Sequence, residues 1–240
     1  MERKLPKRIV VKLGTNLLTN GKDSLDIETI QGIFAQIAAV KKSGIEVLIV
    51  SSGAVAAGRE SLSRTPDRNK LQVGTVAYKQ ALAALGQPQL MMTFEQIFAE
   101  HEVEVAQALI SRADLQSRSR YLNVRNTLDA LLSIGAVPII NENDVVAVEE
   151  LAGEIYGDND RLSAMLANTI DANLLILLGD MDGLHATDPH IDPNSELIST
   201  VTKIDKTIEN AARGPHDKRG SGGMASKLDA ARLSMDSGIP

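Results

Sequence analysis

Two lysines at opposite ends of the chain stand in surroundings that suggest chemistry. Lys12 follows the apolar run 9–11 and is followed by Gly14, whereas Lys227 comes shortly after the glycine-rich segment 220–223. Glycines let backbone amides approach an anion, and the start of a helix adds a favourable dipole. Two cations that converge on a phosphate suit phosphoryl transfer, in which catalysis is mostly positioning and neutralisation of charge.

Each of these features has a simpler interpretation. A lysine at a strand end can extend its ammonium group to solvent, and a glycine-rich segment can be an ordinary turn before a helix. The segment is also not a P-loop, because the pattern G-x-x-x-x-G-K-[ST] does not occur. Residue types alone therefore indicate a phosphate site without deciding its class.

Acidic and amide side chains form a third candidate feature. They occur in two short runs, which are Asn141, Asn143 and Asp144, and Asp158, Asn159 and Asp160. A carboxylate there could orient the lysines, and other members could bind a substrate ammonium group. Any one of them could instead be a turn residue, since Asp and Asn are common in turns.

The elements that must position these residues alternate between strands and helices. Apolar runs predict buried strands at 8–13, 46–50, 103–109, 136–140 and 173–178, and helical spacing predicts helices at 27–40, from 54, 76–85, 90–100, 119–134, 161–170, 204–212 and 224–237. Residues 86–88 should break a helix, 61–73 should form a surface loop at an interface or a lid, and 145–148 with 154–156 could form a hairpin. Residues 238–240 look like the start of a further strand. This βαβ alternation predicts an α/β fold with a parallel sheet and ligands at the carboxyl ends of its strands.

Composition limits the function classes. The chain has 240 residues, 43% of them hydrophobic, which favours one large α/β domain over two small ones. Cysteine is absent, so there is neither a disulfide framework nor a thiolate metal site, and a reducing cytoplasm is permitted. The first residues fit neither a signal peptide nor a membrane span, so we expect a soluble protein. A formal charge of -6 argues against a general nucleic-acid binder.

Other kinds of site find little support. Ser52 could be a hydrolase nucleophile, but G-x-S-x-G is absent and the four histidines form no recognisable triad. A metal held by side chains lacks the H-E-x-x-H pattern. The arginines at 112, 118, 120 and 125 are interrupted by acidic residues, so a solvated or subunit-facing helix surface explains them better than RNA binding.

Five motifs together carry a family resemblance. They are Val10-Val11-Lys12-Leu13-Gly14-Thr15, the segment 50–58 (VSSGAVAAG), Asn141-Glu142-Asn143-Asp144, Gly157-Asp158-Asn159-Asp160, and Gly222-Gly223-Met224-Ala225-Ser226-Lys227. In this order they resemble the glutamate 5-kinases of the amino acid kinase family, over essentially the whole chain. The segment 79–87 (KQALAALGQ) agrees as well.

The resemblance implies an αβα sandwich with a mainly parallel central sheet. It also implies that ATP, with Mg²⁺, phosphorylates the side-chain carboxylate of L-glutamate to L-glutamyl 5-phosphate, the first step of proline biosynthesis. A glutamate side chain has a solution pKa of about 4.3, so the nucleophile is already ionised and needs no general base. Magnesium held by phosphates and water needs no cage of protein ligands.

The site residues carried over from the family fall into three groups. Lys12, Lys227 and Asp160 would be catalytic, with Asp160 holding both lysines, and Ser52, Gly53, Asp144 and Asn159 would bind glutamate. The nucleotide would contact Lys12, Gly14, Gly179, Asp180, Ser221, Gly222, Gly223, Met224, Ala225, Ser226 and Lys227. Gly179 replaces a hydroxyl residue and Ser221 a threonine of many relatives, so one hydrogen bond to the nucleotide could be lost.

The resemblance also sets expectations for the whole protein. Residues 1–240 would be one kinase domain whose C-terminal end looks truncated and which lacks the PUA domain of many relatives. The partners would be L-glutamate, ATP and proline as a feedback inhibitor, in a cytoplasmic homo-oligomer, a dimer or tetramer, that binds neither nucleic acid nor membrane. Alternatively, the chain could only bind glutamate or proline, with the loop 61–73 as a regulatory element.

Overall fold

Five strands form one parallel sheet. They are β1 (Arg8–Leu13), β2 (Glu46–Val50), β3 (Val105–Ile110), β4 (Val137–Glu142) and β5 (Leu174–Leu178), in the order β3-β4-β2-β1-β5. All four pairings between these strands are parallel. The computed structural model describes residues 5–67, 70–147, 159–189, 191–212 and 223–240.

The helices connect these strands and cover both faces of the sheet. They are α1 (Thr15–Thr19), α2 (Ile27–Lys42), α3 (Ala54–Ser63), α4 (Val76–Ala99), α5 (Arg112–Gln116), α6 (Arg118–Ser133), α7 (Asn159–Thr169), α8 (Lys206–Ala212) and α9 (Met224–Asp236). Asp26 caps α2 by accepting the Thr29 N–H at 3.1 Å, and Asp is among the residues favoured at this position. In the described residues, no helix has both the length and the apolarity to cross a bilayer.

Alternation along the strands produces two separate cores. On one face, Ile9, Val11 and Leu13 pack with apolar side chains of α2 and α4, including Phe34, which stacks on Phe98 at a ring-centroid distance of 4.2 Å. On the other face, Val10, Leu48 and Val50 pack with leucines of α6 and α7. The predicted αβα sandwich is therefore confirmed. Lys12 follows the parity of Val10 and so faces the layer that contains α7.

The predicted helix break at 86–88 is wrong, because α4 runs through it. Gly86 is not a turn residue here: a Cβ on it would lie 1.8 Å from the backbone oxygen of Ala54 in α3. A Cβ on Gly58 would likewise lie 1.9 Å from Leu82 O in α4. The two glycines let the helices touch backbone to backbone, and this contact outweighs the local cost of Pro88 inside the helix.

Smaller differences have local causes. Apolar spacing did not indicate the five-residue helices α1 and α5, the second of which begins with a capping box between Ser111 and Asp114. β4 continues through Asn141-Glu142, two residues beyond the predicted strand end at 140, because these residues pair with β3. Residues 61–63 belong to α3, residues 145–147 form a turn and not a strand, and 148–158 lie outside the described ranges. Residues 238–240, predicted to start a further strand, form none, but the Leu175 N–H of β5 donates to Pro240 O at 3.0 Å.

Candidate active site

The carboxyl ends of the strands bring the predicted site residues to one edge of the sheet. Lys12 lies near the end of β1, Ser52 follows β2, and Asp180 follows β5. Asn141 and Asp144 lie at and beyond the end of β4. Because all five strands run in the same direction, these segments converge although they are far apart in sequence.

Two lysines meet one buried carboxylate at this edge. Asp160 is 1% exposed, and its Oδ1 lies 2.5 Å from Lys12 Nζ. Its Oδ2 lies 3.7 Å from Lys227 Nζ. A buried charge is tolerated only with close partners of opposite charge. The geometry therefore agrees with the expectation that Asp160 holds both lysines.

Local structure fixes each member of this group. Asp160 lies in the first turn of α7, where an acidic residue complements the helix dipole. Its Oδ2 also accepts a 2.6 Å hydrogen bond from the Ser226 hydroxyl, in the first turn of α9. The same hydroxyl lies 2.9 Å from Gly223 O. Because a hydroxyl has one proton, it can donate to only one of these acceptors at a time.

A second polar group adjoins the turn after β2. Gly53 has φ of +97°, which a residue with a side chain rarely adopts, and α3 begins immediately after it. Asn159 donates from Nδ2 to Ser52 Oγ at 3.0 Å, and its Nδ2 also lies 3.4 Å from Asn141 Oδ1. The structure thus brings the predicted substrate residues 52, 53 and 159 together, and places Asp144 in the turn beyond β4 at the same edge.

A cavity of about 1030 Å³ opens beside Lys227. Five predicted nucleotide residues line it, namely Gly179, Asp180, Gly223, Met224 and Lys227. Its volume is at the upper end of the usual range for small-molecule sites, about 300–1,000 Å³. A Cβ on Gly179 would lie 3.0 Å from Lys227 Cε. The absence of a side chain there therefore leaves room for the lysine.

The other predicted nucleotide residues have different surroundings. Gly14 lies against the lysine pair, where a Cβ would be 3.6 Å from Lys12 Nζ. Ala225 and Ser226 lie within the first turn of α9, and the hydroxyl of Ser226 is directed to Asp160. The predictions for Ser221 and Gly222 fall outside the described residues.

Three residues outside the predicted catalytic, substrate and nucleotide sets contact the site, and one of them, Asn141, belongs to the candidate amide and acidic feature of the sequence. Asn16 donates to Asp180 Oδ2 at 3.0 Å and also lines the cavity. Asn141 contacts Asn159, and Gln87 of α4 in turn contacts Asn141. Asn16 lies two residues after Gly14, and this position could have indicated it as a site residue. The contact of Gln87 depends on the packing of α4 and has no local signal.

A loop held by a histidine borders the cavity. His185 Nε2 lies 2.8 Å from Asp182 Oδ1, and its Nδ1 lies 3.0 Å from Ser195 O. The hydrogen bond to Asp182 raises the pKa of His185 above its usual value, and the Ser195 carbonyl contributes in the same direction. Only the protonated ring donates from both nitrogens, so this arrangement favours the imidazolium form.

The arrangement so far is a pair of lysines on one carboxylate, next to a large cavity, at the carboxyl edge of a parallel sheet. A family model described as the amino acid kinase family matches residues 7–240. The chain belongs to this family.

Three curated relatives illustrate the similarity. The chain is 49% identical to the glutamate 5-kinase of Dehalococcoides mccartyi, over 97% of this chain and 61% of that protein. It is 44% identical to that of Pelobacter propionicus, over 98% and 61% respectively. It is 48% identical to that of Shewanella oneidensis, over 97% and 60%. The chain therefore spans about 60% of the length of these relatives.

A solved structure of low sequence identity supports the fold. The UMP kinase from Bacillus anthracis superposes with a TM-score of 0.52 at 16% identity, covering 88% of this chain and 84% of that one. At this identity the likeness concerns the fold alone, and the fold agrees with the amino acid kinase assignment.

Proposed function

We propose that the chain transfers the γ-phosphoryl group of ATP to the side-chain carboxylate of L-glutamate. The products would be L-glutamyl 5-phosphate and ADP, and the reaction would be the first step of proline biosynthesis. The observation that carries this proposal is the convergence of Lys12 and Lys227 on Asp160 beside the cavity. The choice of L-glutamate as the substrate rests on relatives that are 44–49% identical and are named glutamate 5-kinase.

The chemistry needs cations more than it needs a base. A carboxylate oxygen of glutamate attacks the γ-phosphorus, and the bond from that phosphorus to the oxygen bridging to ADP breaks. No proton moves, because a free carboxylate with a pKa of about 4.3 is ionised at neutral pH. The barrier comes largely from bringing together two anions. Lys12 and Lys227 would lower it by neutralising charge on the transferred group.

Asp160 would set the positions of the two ammonium groups. It lies 2.5 Å from Lys12 Nζ and 3.7 Å from Lys227 Nζ, and its Oδ2 also accepts the Ser226 hydroxyl. We infer that Asp160 holds Lys12 more closely than Lys227.

The nucleotide would occupy the cavity. Gly223 at the start of α9 would present its backbone amide to a phosphate, helped by the helix dipole, and Asp180 would lie beside it. Within the described residues, no group of three or more His, Cys, Asp or Glu could hold a metal ion. Mg²⁺ would enter on the phosphates of ATP, keep several of its waters and offset the phosphate charge, as this ion commonly does.

Glutamate would bind at the turn after β2. The Ser52 hydroxyl and the Gly53 backbone lie next to Asn159, and Asn159 directly precedes Asp160. Asp144, at the same edge, would bind the ammonium group of the substrate, because a carboxylate is its natural partner. In this arrangement the side-chain carboxylate of the substrate would face the two lysines.

The resemblance supports further proposals about the whole protein. Residues 1–240 would act as one kinase domain in the cytoplasm, and the protein would form a homo-oligomer. Proline would be a feedback inhibitor. These proposals rest on the family and not on a contact in the structure.

The direct test is turnover in the presence of hydroxylamine, which traps an acyl phosphate as a hydroxamate. The purified protein should consume ATP with Mg²⁺ and L-glutamate and form the hydroxamate, but not with aspartate or N-acetylglutamate. Lys227→Ala should abolish turnover. Lys42→Ala removes a lysine whose side chain is 57% exposed on α2, and should leave turnover unchanged. Glutamate binding without phosphoryl transfer would favour the binding-only alternative.

A further inference from the structure

A glutamine of α4 lies next to the proposed glutamate site. Gly86 touches the backbone of Ala54, and α3 begins at Ala54, directly after the Ser52-Gly53 turn. This close contact holds the next residue, Gln87, near that turn. Gln87 also ends the segment 79–87, to which the mechanism assigns no role.

Hydrogen bonds connect Gln87 to the substrate residues. Asn141, which is 3% exposed, donates from Nδ2 to Gln87 Oε1 at 2.8 Å. Asn141 Oδ1 lies 3.4 Å from Asn159 Nδ2, and that nitrogen also donates to Ser52 Oγ at 3.0 Å. These hydrogen bonds connect α4 through β4 to the start of α7.

The direction of these bonds is determined by the backbone. The Glu142 N–H donates to Asn141 Oδ1 at 2.9 Å. A backbone N–H can only donate, so the oxygen of Asn141 must face it and the nitrogen must face α4. Gln87 supplies the acceptor that this buried nitrogen requires. Ser52 does not select a direction, because a hydroxyl both donates and accepts.

The consequence falls on the amide of Asn159. Its nitrogen faces Asn141 and Ser52, so its oxygen is directed elsewhere. Asn159 Oδ1 is buried and has no hydrogen-bond partner within the described ranges. A carbonyl oxygen accepts hydrogen bonds only, so this atom suits a donor such as an ammonium group.

We propose that Gln87 is a positioning residue for the amino acid substrate. It holds Asn141, and Asn141 orients Asn159 so that its carbonyl oxygen accepts the substrate ammonium group. This inference rests on the proposed function, and it adds that recognition of the ammonium group depends on a side chain of α4 that does not touch the substrate.

The test compares L-glutamate with glutarate, which has both carboxylates but no ammonium group. For each variant, the hydroxamate assay gives kcat/KM for the two substrates, and their ratio measures recognition of the ammonium group. Gln87→Met has a similar length but cannot accept the bond from Asn141. Gln87→Glu keeps the acceptor oxygen and replaces Nε2, a buried atom with no hydrogen-bond partner in the described residues. Gln36→Met is the matched control, because Gln36 is exposed and bonds Gly32 O in its own helix.

Gln87→Met should lower the glutamate-to-glutarate ratio about tenfold, the equivalent of one hydrogen bond to a charged group. The loss should come mainly from a higher KM for glutamate, with KM for ATP unchanged. Gln87→Glu should keep the ratio within about threefold of the wild type, and Gln36→Met should not change it. Thermal melting verifies that each variant is folded.

An unchanged ratio in Gln87→Met would overturn the inference, as would an equal fall for both substrates. A ratio in Gln87→Glu as low as in Gln87→Met would do the same. If the wild type turns over neither substrate, the proposed function fails, and calorimetric binding of the two ligands gives the ratio instead. Absence of glutamate binding would overturn both.

Discussion

Replacement of Asp160 by asparagine should weaken both the fold and the reaction. The substitution keeps the shape of the side chain but removes the charge that Lys12 meets at 2.5 Å. Lys12 and Asp160 have side chains only 7% and 1% exposed, so water cannot readily replace the lost partner. Removing one member of a buried ion pair costs about 3–5 kcal/mol. Because a chain of this size loses about 2–4 °C per kcal/mol, Tm should fall by roughly 10 °C.

Catalysis should suffer separately from stability. In the variant Lys12 loses its nearby carboxylate, so its ammonium group is no longer held in one place when the phosphoryl group moves. Loss of one preorganised charge-stabilising group costs about 100- to 1,000-fold in kcat. The hydroxamate assay should be run well below the Tm of the variant, so that unfolding does not contribute to the loss.

Asp171→Asn is the matched control for Asp160→Asn. Asp171 also forms an ion pair, with Arg125, but its side chain is 69% exposed. An exposed pair contributes about 0–1 kcal/mol, so Tm and kcat should remain close to the wild type. If Asp160→Asn melts within about 2 °C of the wild type, or keeps more than a tenth of its kcat, the buried pair does not have the role argued from its geometry.

Three further perturbations test other parts of the structure. Gly86→Ala should lower Tm, because the added Cβ would collide with α3. Gly32→Ala is the control: its Cβ meets open space in α2, so the variant should be more stable than the wild type by about 0.5–1 kcal/mol. Equal Tm values for the two variants would contradict the close contact between α3 and α4. Ser226→Ala should lower kcat about tenfold with KM for ATP unchanged, because Asp160 loses a hydrogen bond. Ser226→Thr keeps a hydroxyl and should restore kcat. A rise in KM for ATP without a fall in kcat would indicate that Ser226 binds the nucleotide instead. The pKa of His185 is raised in the folded state, so its stabilisation of the loop is complete below the unfolded pKa of about 6.5 and is lost as pH rises through the folded value. Hydrogen exchange in the loop should be faster at pH 8.5 than at pH 6 after correction for intrinsic rates, and His185→Gln should remove this difference.

The central sheet was predictable because its strands carry their own signal. Apolar runs mark β1, β2 and β5, rich in Val and Ile in the first two and in Leu in the third, and their position before glycine and polar residues indicated the edge at which the site lies. Lys12 and Asp160 could be assigned together only through the resemblance. Their 2.5 Å contact depends on how β1 packs against α7, and local sequence does not determine that packing.

The errors occurred where tertiary contacts outweigh local preference. Gly86 and Pro88 favour a break in an isolated chain, but the backbone contact with α3 and the buried side chains on both sides keep α4 continuous. Gln87 was missed for the same reason, since its role depends on that continuity. The polarity of Asn141 suggested that β4 ends at residue 140, yet Asn141 pairs with Leu109 of β3 and the strand continues.

The positions of the two lysines in the chain have a consequence for folding. Lys12 and Lys227 belong to β1 and α9, and they meet at one carboxylate of α7. Contacts between residues so distant in sequence form slowly, because a long loop must close before they contribute. Helix content should therefore return early in refolding, while the two cations come together last. Recovery of activity would then report the closure of the whole chain and not the formation of any single element.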